Sequence, residues 1–149
     1  MDILAALGES TLAQFIQNTG YPYAKALHII GASALLGGVV LLDLRILGQR
    51  ADIALPTIRR LSLPFIGVGF ILAIIGGLLL FLAQPQALFE NNALAIKLGL
   101  IVLAGVNACA FECLYRNNTA LMIQKTLAAA SLMLWGAVFV FASLIPYWG

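Results

Sequence analysis

The stretch that decides the fold is YAKALHIIGASALLGGVVLLDLR, residues 23 to 45. It is long and apolar enough to cross a bilayer, yet it carries Lys25, His28, Asp43 and Arg45, and His28 is the single histidine of the chain. Between His28 and Asp43 lie 14 residues. As a helix rising about 1.5 Å per residue, these span about 21 Å, which is short of the roughly 30 Å of hydrocarbon in a membrane. At least one of the two polar groups must therefore enter the apolar zone or its boundary.

The rest of the chain has the same character. Of its 149 residues, 62% are hydrophobic and 9% charged, against roughly 45–50% and about 25% in soluble domains, and the mean hydropathy is +1.03. That composition reads as one integral membrane domain, residues 1–149, with no room between the apolar runs for a soluble module. A net charge of +2 is too small to point to nucleic acid. The start of the chain, Met1-Asp2, has no basic region and no cleavage pattern, so no removable signal peptide is expected. Cys109 and Cys113 lie inside an apolar run, which does not suit a secreted disulfide framework.

Four stretches have the length of a transmembrane helix: approximately 23–47, 61–83, 92–115 and 126–146. Their unbroken apolar runs lack the alternation of barrel strands, so the expected fold is an all-α four-helix membrane bundle. Ahead of it, residues 1–20 predict a short amphipathic interfacial helix. There, Thr11 and Gln14 have capping-box spacing, Gly20 is a candidate helix end, and Leu4, Leu7, Phe15 and Ile16 lean to one side.

Basic residues set the expected orientation. The first connection holds Arg45, Arg50, Arg59 and Arg60, and the third holds Arg116 and Lys125; the second connection and the C-terminal tail hold none. The positive-inside rule then puts both termini on the outer side, with Tyr21, Tyr23, Tyr147 and Trp148 as an outer aromatic belt. Glycines 31, 37, 38, 67, 69, 76, 77, 99 and 105 would permit close helix approach.

At about 100° per residue, Lys25, His28 and Asp43 fall within a sector of about 60° on the first span, as do Lys97 and Glu112 on the third. Ionisable groups in spans usually face the bundle interior and are functional candidates. Lys25 and Lys97 have a plainer reading as snorkelling residues. Asp43 and Arg45 read as a charge cluster at the inner boundary, and Glu112 as the partner of Arg116 one turn on. His28 and Lys97 come out at similar depth, about five residues below the outer surface. An imidazole there is either a metal or haem ligand or a structural hydrogen-bonding group. Cys109, Cys113 and Met133 suit Cu(I) as soft ligands, with ordinary packing as the alternative. Asn107 reads as an interhelical hydrogen-bonding residue. No phosphate-loop, dinucleotide, zinc or Ser-His-Asp pattern is present.

YAKALHIIGASALLGGVVLLDLRILG and NNALAIKLGLIVLAGVNACAFE resemble a group of small four-span bacterial inner-membrane proteins of poorly characterised function. They are similar both to the membrane domain of CopD-type copper-resistance proteins and to HemJ-type protoporphyrinogen oxidases. The latter resemblance implies a b-type haem with His28 as an axial ligand to the iron. It also implies Lys97, with Lys25 near the same edge, beside the iron or a propionate. The chain departs from the pattern at the end of the third span, where Glu112 stands in place of a second histidine. A second ligand would then be Lys97, water, none at all, or His28 of another protomer in a homo-oligomer. The leading expectation is a haem-associated redox protein exchanging electrons with quinone, with porphyrinogen oxidation as a narrower version. The alternatives are copper transport through His28, Cys109, Cys113 and Met133, and a structural subunit of a larger membrane complex.

Overall fold

A computed structural model describes residues 3–117 and 120–148, so Met1 and Asp2 lie outside the described residues. Among the described residues seven α-helices follow in chain order: α1 (Ile3–Gly8), α2 (Thr11–Phe15), α3 (Tyr21–Leu47), α4 (Leu55–Ala83), α5 (Pro85–Phe89), α6 (Asn92–Arg116) and α7 (Leu121–Leu144). Four stretches are long and apolar enough to cross a membrane: Thr11–Leu47, Leu55–Ala83, Asn92–Arg116 and Leu121–Tyr147. The protein is an all-α, multi-pass membrane bundle. Both termini come to one end, called here the termini end. The α3–α4 and α6–α7 connections come to the other, the arginine end.

The N-terminal element differs from the expectation. Its cap is Ser10 rather than Thr11: the Ser10 side chain accepts from the Ala13 backbone N–H at 3.2 Å. Gly20 does not end it. A π-helical turn, Ile16–Gly20, carries α2 directly into α3. Gly20 stays right-handed there, packed under the Ile16 and Phe15 side chains. The second connection, expected as a loop, folds into α5. Its Pro85 is fully buried, with the Cβ position of Gly8 3.2 Å from its ring.

The second span starts earlier than expected, at Leu55, with Pro56 in its first turn. Proline needs no backbone donor there, so Arg59 and Arg60 ride on the helix rather than in a loop. The last span is also displaced, to Leu121–Leu144. At the end of α3, Gly48 takes φ +113° and its N–H caps the Arg45 carbonyl, a left-handed stop that suits glycine.

Backbone contacts run in the order α4–α3–α7–α6. Among the described residues, α3 packs intimately on α4, α6 on α7, and α3 on α7, while the α4 and α6 backbones stay apart. Small residues explain the first seam. Ala24, Gly31 and Gly38 recur every seven positions on α3, as do Ser62, Gly69, Gly76 and Ala83 on α4, and all are buried. A seven-residue spacing keeps one stripe of each helix facing its partner, and small side chains let the backbones meet. A Cβ on Gly69 would lie 2.5 Å from the Leu35 backbone nitrogen, and one on Gly76 2.5 Å from that of His28. Gly37, Gly67, Gly99 and Gly105, by contrast, face open space, so only part of the expected glycine set closes a seam within this chain.

Ser62 belongs to that small-residue repeat, and its hydroxyl oxygen is buried without a hydrogen-bond partner. It is tolerated for its size. Ser62→Ala is therefore expected to be neutral or stabilising by up to about 1 kcal/mol, because it removes an unsatisfied polar group. Ser62→Leu should destabilise, and unfolding midpoints of the two variants in detergent check the sign.

The arginine end is the better filled. Leu42, Ile46, Phe111 and Ala128 are buried together there, with Ile58, Ile66, Tyr115 and Leu127 around them, so all four spans contribute. At the termini end the corresponding cluster, Ile16, Ala24 and Ala83 with Leu79 and Leu80, comes only from the first hairpin and its N-terminal extension. The second hairpin is tied at this end by Asn91. Its side chain accepts from Leu94 N–H at 3.0 Å, capping α6, and donates to the Ile145 carbonyl at 2.9 Å.

Candidate functional site

His28 sits on α3 in the termini half of the bundle, half-buried, where the seam with α4 meets the second hairpin. Gly76 and Gly77 make room for it: the Gly76 Cβ position lies 2.5 Å from the His28 backbone nitrogen, and that of Gly77 lies 3.2 Å from Nδ1. The Nδ1–Cε1 edge of the ring therefore approaches α4 where Gly77 has no side chain. Its Nδ1 is 2.7 Å from the Ala73 carbonyl oxygen. A carbonyl can only accept, so Nδ1 carries the proton and Nε2 keeps its lone pair. This hydrogen bond fulfils the structural expectation for His28. It also creates the arrangement usual for a metal-ligating histidine, in which one nitrogen is anchored to a backbone carbonyl and the other is free.

Lys97, on α6, is half-buried and near enough for its charge to act on the His28 ring. The two residues are thus brought into one region across the bundle. Among the described residues the Lys97 ammonium has no salt-bridge partner. Lys25, one turn before His28, is exposed, as a snorkelling lysine would be. Cys109 and Cys113 are free thiols on the exposed surface of α6, and Met133 is 70% exposed on α7. No group of three or more His, Cys, Asp or Glu among the described residues is spaced to hold a metal ion. Asn107 does what its position suggested, its amide donating to the Leu127 carbonyl of α7 at 3.1 Å.

At the arginine end, Glu112 accepts from Arg116 at 2.9 Å, the pair read from the i, i+4 spacing, and also from Arg59 of α4 at 2.8 Å. The Arg59 guanidinium stands 4.4 Å over the Tyr115 ring, which itself stacks on Phe111. These side chains bridge α4 and α6, whose backbones do not meet. By position in the sequence Arg59 is only one of the charges of the first connection; its partner lies 53 residues away.

Asp43 lies apart from the boundary charges. It does not join Arg45 in a boundary cluster, because residues two apart on a helix point to opposite sides. Arg45 turns to the Ile53 carbonyl in the connection. Asp43 turns inward, 6% exposed, toward Ser131 of α7, and its Oδ2 has no hydrogen-bond partner.

No family model, curated protein or solved structure matches the chain. The resemblance to CopD-type and HemJ-type proteins stands on the quoted residues alone.

Proposed function

We propose that the protein is a b-type haem-associated electron-transfer protein of the bacterial inner membrane, with His28 as an axial ligand. The observation that supports this reading is the Nδ1–Ala73 hydrogen bond. It fixes the tautomer and the ring plane, and it leaves Nε2 as the free donor of the only histidine. The donor set fits a haem held by one protein nitrogen. Lys97 supplies a positive charge for a propionate or a second nitrogen, and Lys25 is a further cation one turn from the ligand. Haem, when bound, supplies a reversible one-electron couple.

The chain's own contribution is positional. The glycines at 76 and 77 let α4 approach, the Ala73 carbonyl orients the imidazole, and the apolar spans keep water from the ring. With the arginine end on the cytoplasmic side, this site lies near the periplasmic surface, where a membrane quinone or an outer partner could exchange electrons. A homo-oligomer could bring two copies of His28 together, and porphyrinogen oxidation is a narrower form of the same reading. Docking into a larger membrane complex is a separate proposal, tested by gentle co-purification.

The test is a reduced-minus-oxidised visible spectrum of detergent-purified protein, recorded beside His28→Ala. A b-type spectrum present in the wild type and lost in the variant supports the reading. A wild type that stays colourless after addition of haemin removes it. Metal analysis of that colourless protein, with Cys109→Ser/Cys113→Ser as comparison, then tests the copper alternative.

A further inference from the structure

The Asp43 carboxyl has no role in the site around His28. It lies one turn before the end of α3, on the side packed against α7, and is nine-tenths buried. Ser131 offers it a hydroxyl, while Oδ2 meets no donor. Of the cations nearest in the fold, the arginines are engaged elsewhere or exposed. On α3, Arg45 donates to the Ile53 carbonyl. On α4, Arg59 is held by Glu112 and Tyr115, and Arg60 is exposed. On α6, Arg116 is 76% exposed and paired with Glu112. On α7, Lys125 is half-buried six residues before Ser131, near the start of the helix, and forms no ion pair among the described residues. Among the described residues no cation forms an ion pair with Asp43.

An ionised carboxylate placed this way would be a buried charge with one oxygen unsatisfied, which costs several kcal/mol. Two kinds of bound cation would relieve it. A metal ion such as Ca²⁺ or Mg²⁺ needs about six oxygen ligands or more, and the surroundings of Asp43 supply its own carboxyl and the Ser131 hydroxyl. A proton needs only the orphaned Oδ2.

We propose that Asp43 is a proton-binding site, a carboxylic acid held neutral inside the bundle at neutral pH that exchanges its proton with water at the arginine end. The site does not depend on haem. Charged groups inside spans commonly mark proton or ion pathways, and Asp43 lies about one turn, roughly 6 Å of helix, from the end of its span.

Two measurements on the intact purified protein test this. The first is infrared difference spectroscopy of wild type against Asp43→Asn, an isosteric change that introduces no charge. At neutral pH a protonated-carboxyl C=O band should be present, be absent from the variant, shift on transfer to D₂O, and vanish as the pH is raised. The second uses dicyclohexylcarbodiimide, an apolar reagent that adds to a protonated carboxyl. The acid proton passes to one carbodiimide nitrogen, the carboxyl oxygen bonds to the central carbon, and the adduct rearranges to a stable N-acylurea with no leaving group. Mass spectrometry should find the label on the Asp43 peptide, with labelling lost at high pH and in Asp43→Asn. A wild type whose Asp43 gives only carboxylate bands at neutral pH overturns the proposal, whether or not the reagent reaches it. A carboxyl band that never shifts in D₂O overturns the exchange. Because the wild-type pH series carries both readouts, a poorly folded variant would not decide the outcome.

Discussion

Gly31→Ala and Gly69→Ala are expected to loosen the first two spans from each other, each lowering stability by about 2 kcal/mol or more. The reason is what a methyl group would strike. At Gly31 it would collide with the Ala73 backbone nitrogen, and at Gly69 it would lie 2.5 Å from the Leu35 nitrogen and 2.7 Å from the Gly31 oxygen. Backbone atoms cannot rotate out of the way, so the helices must separate. That separation would also stretch the His28–Ala73 hydrogen bond, and interhelical bonds of this kind contribute about 0.6 kcal/mol on average. The same substitution at Gly99 or Gly105 meets nothing within 4 Å, and should be neutral or stabilising by about 0.5–1 kcal/mol through helix propensity. Denaturant unfolding of the four variants in one detergent makes the comparison. Wild-type midpoints for Gly31→Ala and Gly69→Ala would mean that the seam is not packed as described.

The second large effect is expected at the arginine end. Glu112→Gln removes the carboxylate that holds Arg59, whose side chain is only 15% exposed. The loss should be about 1–2 kcal/mol, below the range for a fully buried pair, because Glu112 itself is 37% exposed and partly screened. Arg116 shares the same carboxylate but is 76% exposed, so Arg116→Ala should change stability by less than about 0.5 kcal/mol. Most of the expected cost comes from leaving a shielded guanidinium unpaired. Replacing Arg59 and Glu112 together by leucine should therefore recover most of it. Equal losses for Glu112→Gln and Arg116→Ala would show that the α4–α6 bridge carries no particular share.

What the sequence reveals here depends on the range of the signal. Four long apolar runs are enough for a four-span helical bundle, because a bilayer permits few other ways to satisfy the backbone. The Glu112–Arg116 pair was legible because its geometry is local to one helix, and Asn107 because a polar amide in a span has few partners other than a neighbouring helix. The small-residue repeat was legible in principle, since Ala24, Gly31 and Gly38 and then Ser62, Gly69, Gly76 and Ala83 stand seven apart. A roll of glycines without that spacing mixed seam positions with open ones. The inward turn of Asp43 could also have been read from its offset from Arg45. The Arg59–Glu112 bridge and the Ala73 carbonyl under His28 could not. They depend on which helices are neighbours and how each is rotated, and no periodicity within one helix encodes that.

The seam between α3 and α4 also bears on how the chain is made. Its two sides are adjacent in sequence and are joined by residues 48–54, with a glycine stop at the start of the turn. Once the second span has left the ribosome, every residue of this contact is free to meet its partner, while α6 and α7 have yet to emerge. The first hairpin can therefore zip shut in the bilayer as a co-translational unit. The ring of His28 would be seated on α4 before the span that carries the nearby lysine has entered the bilayer.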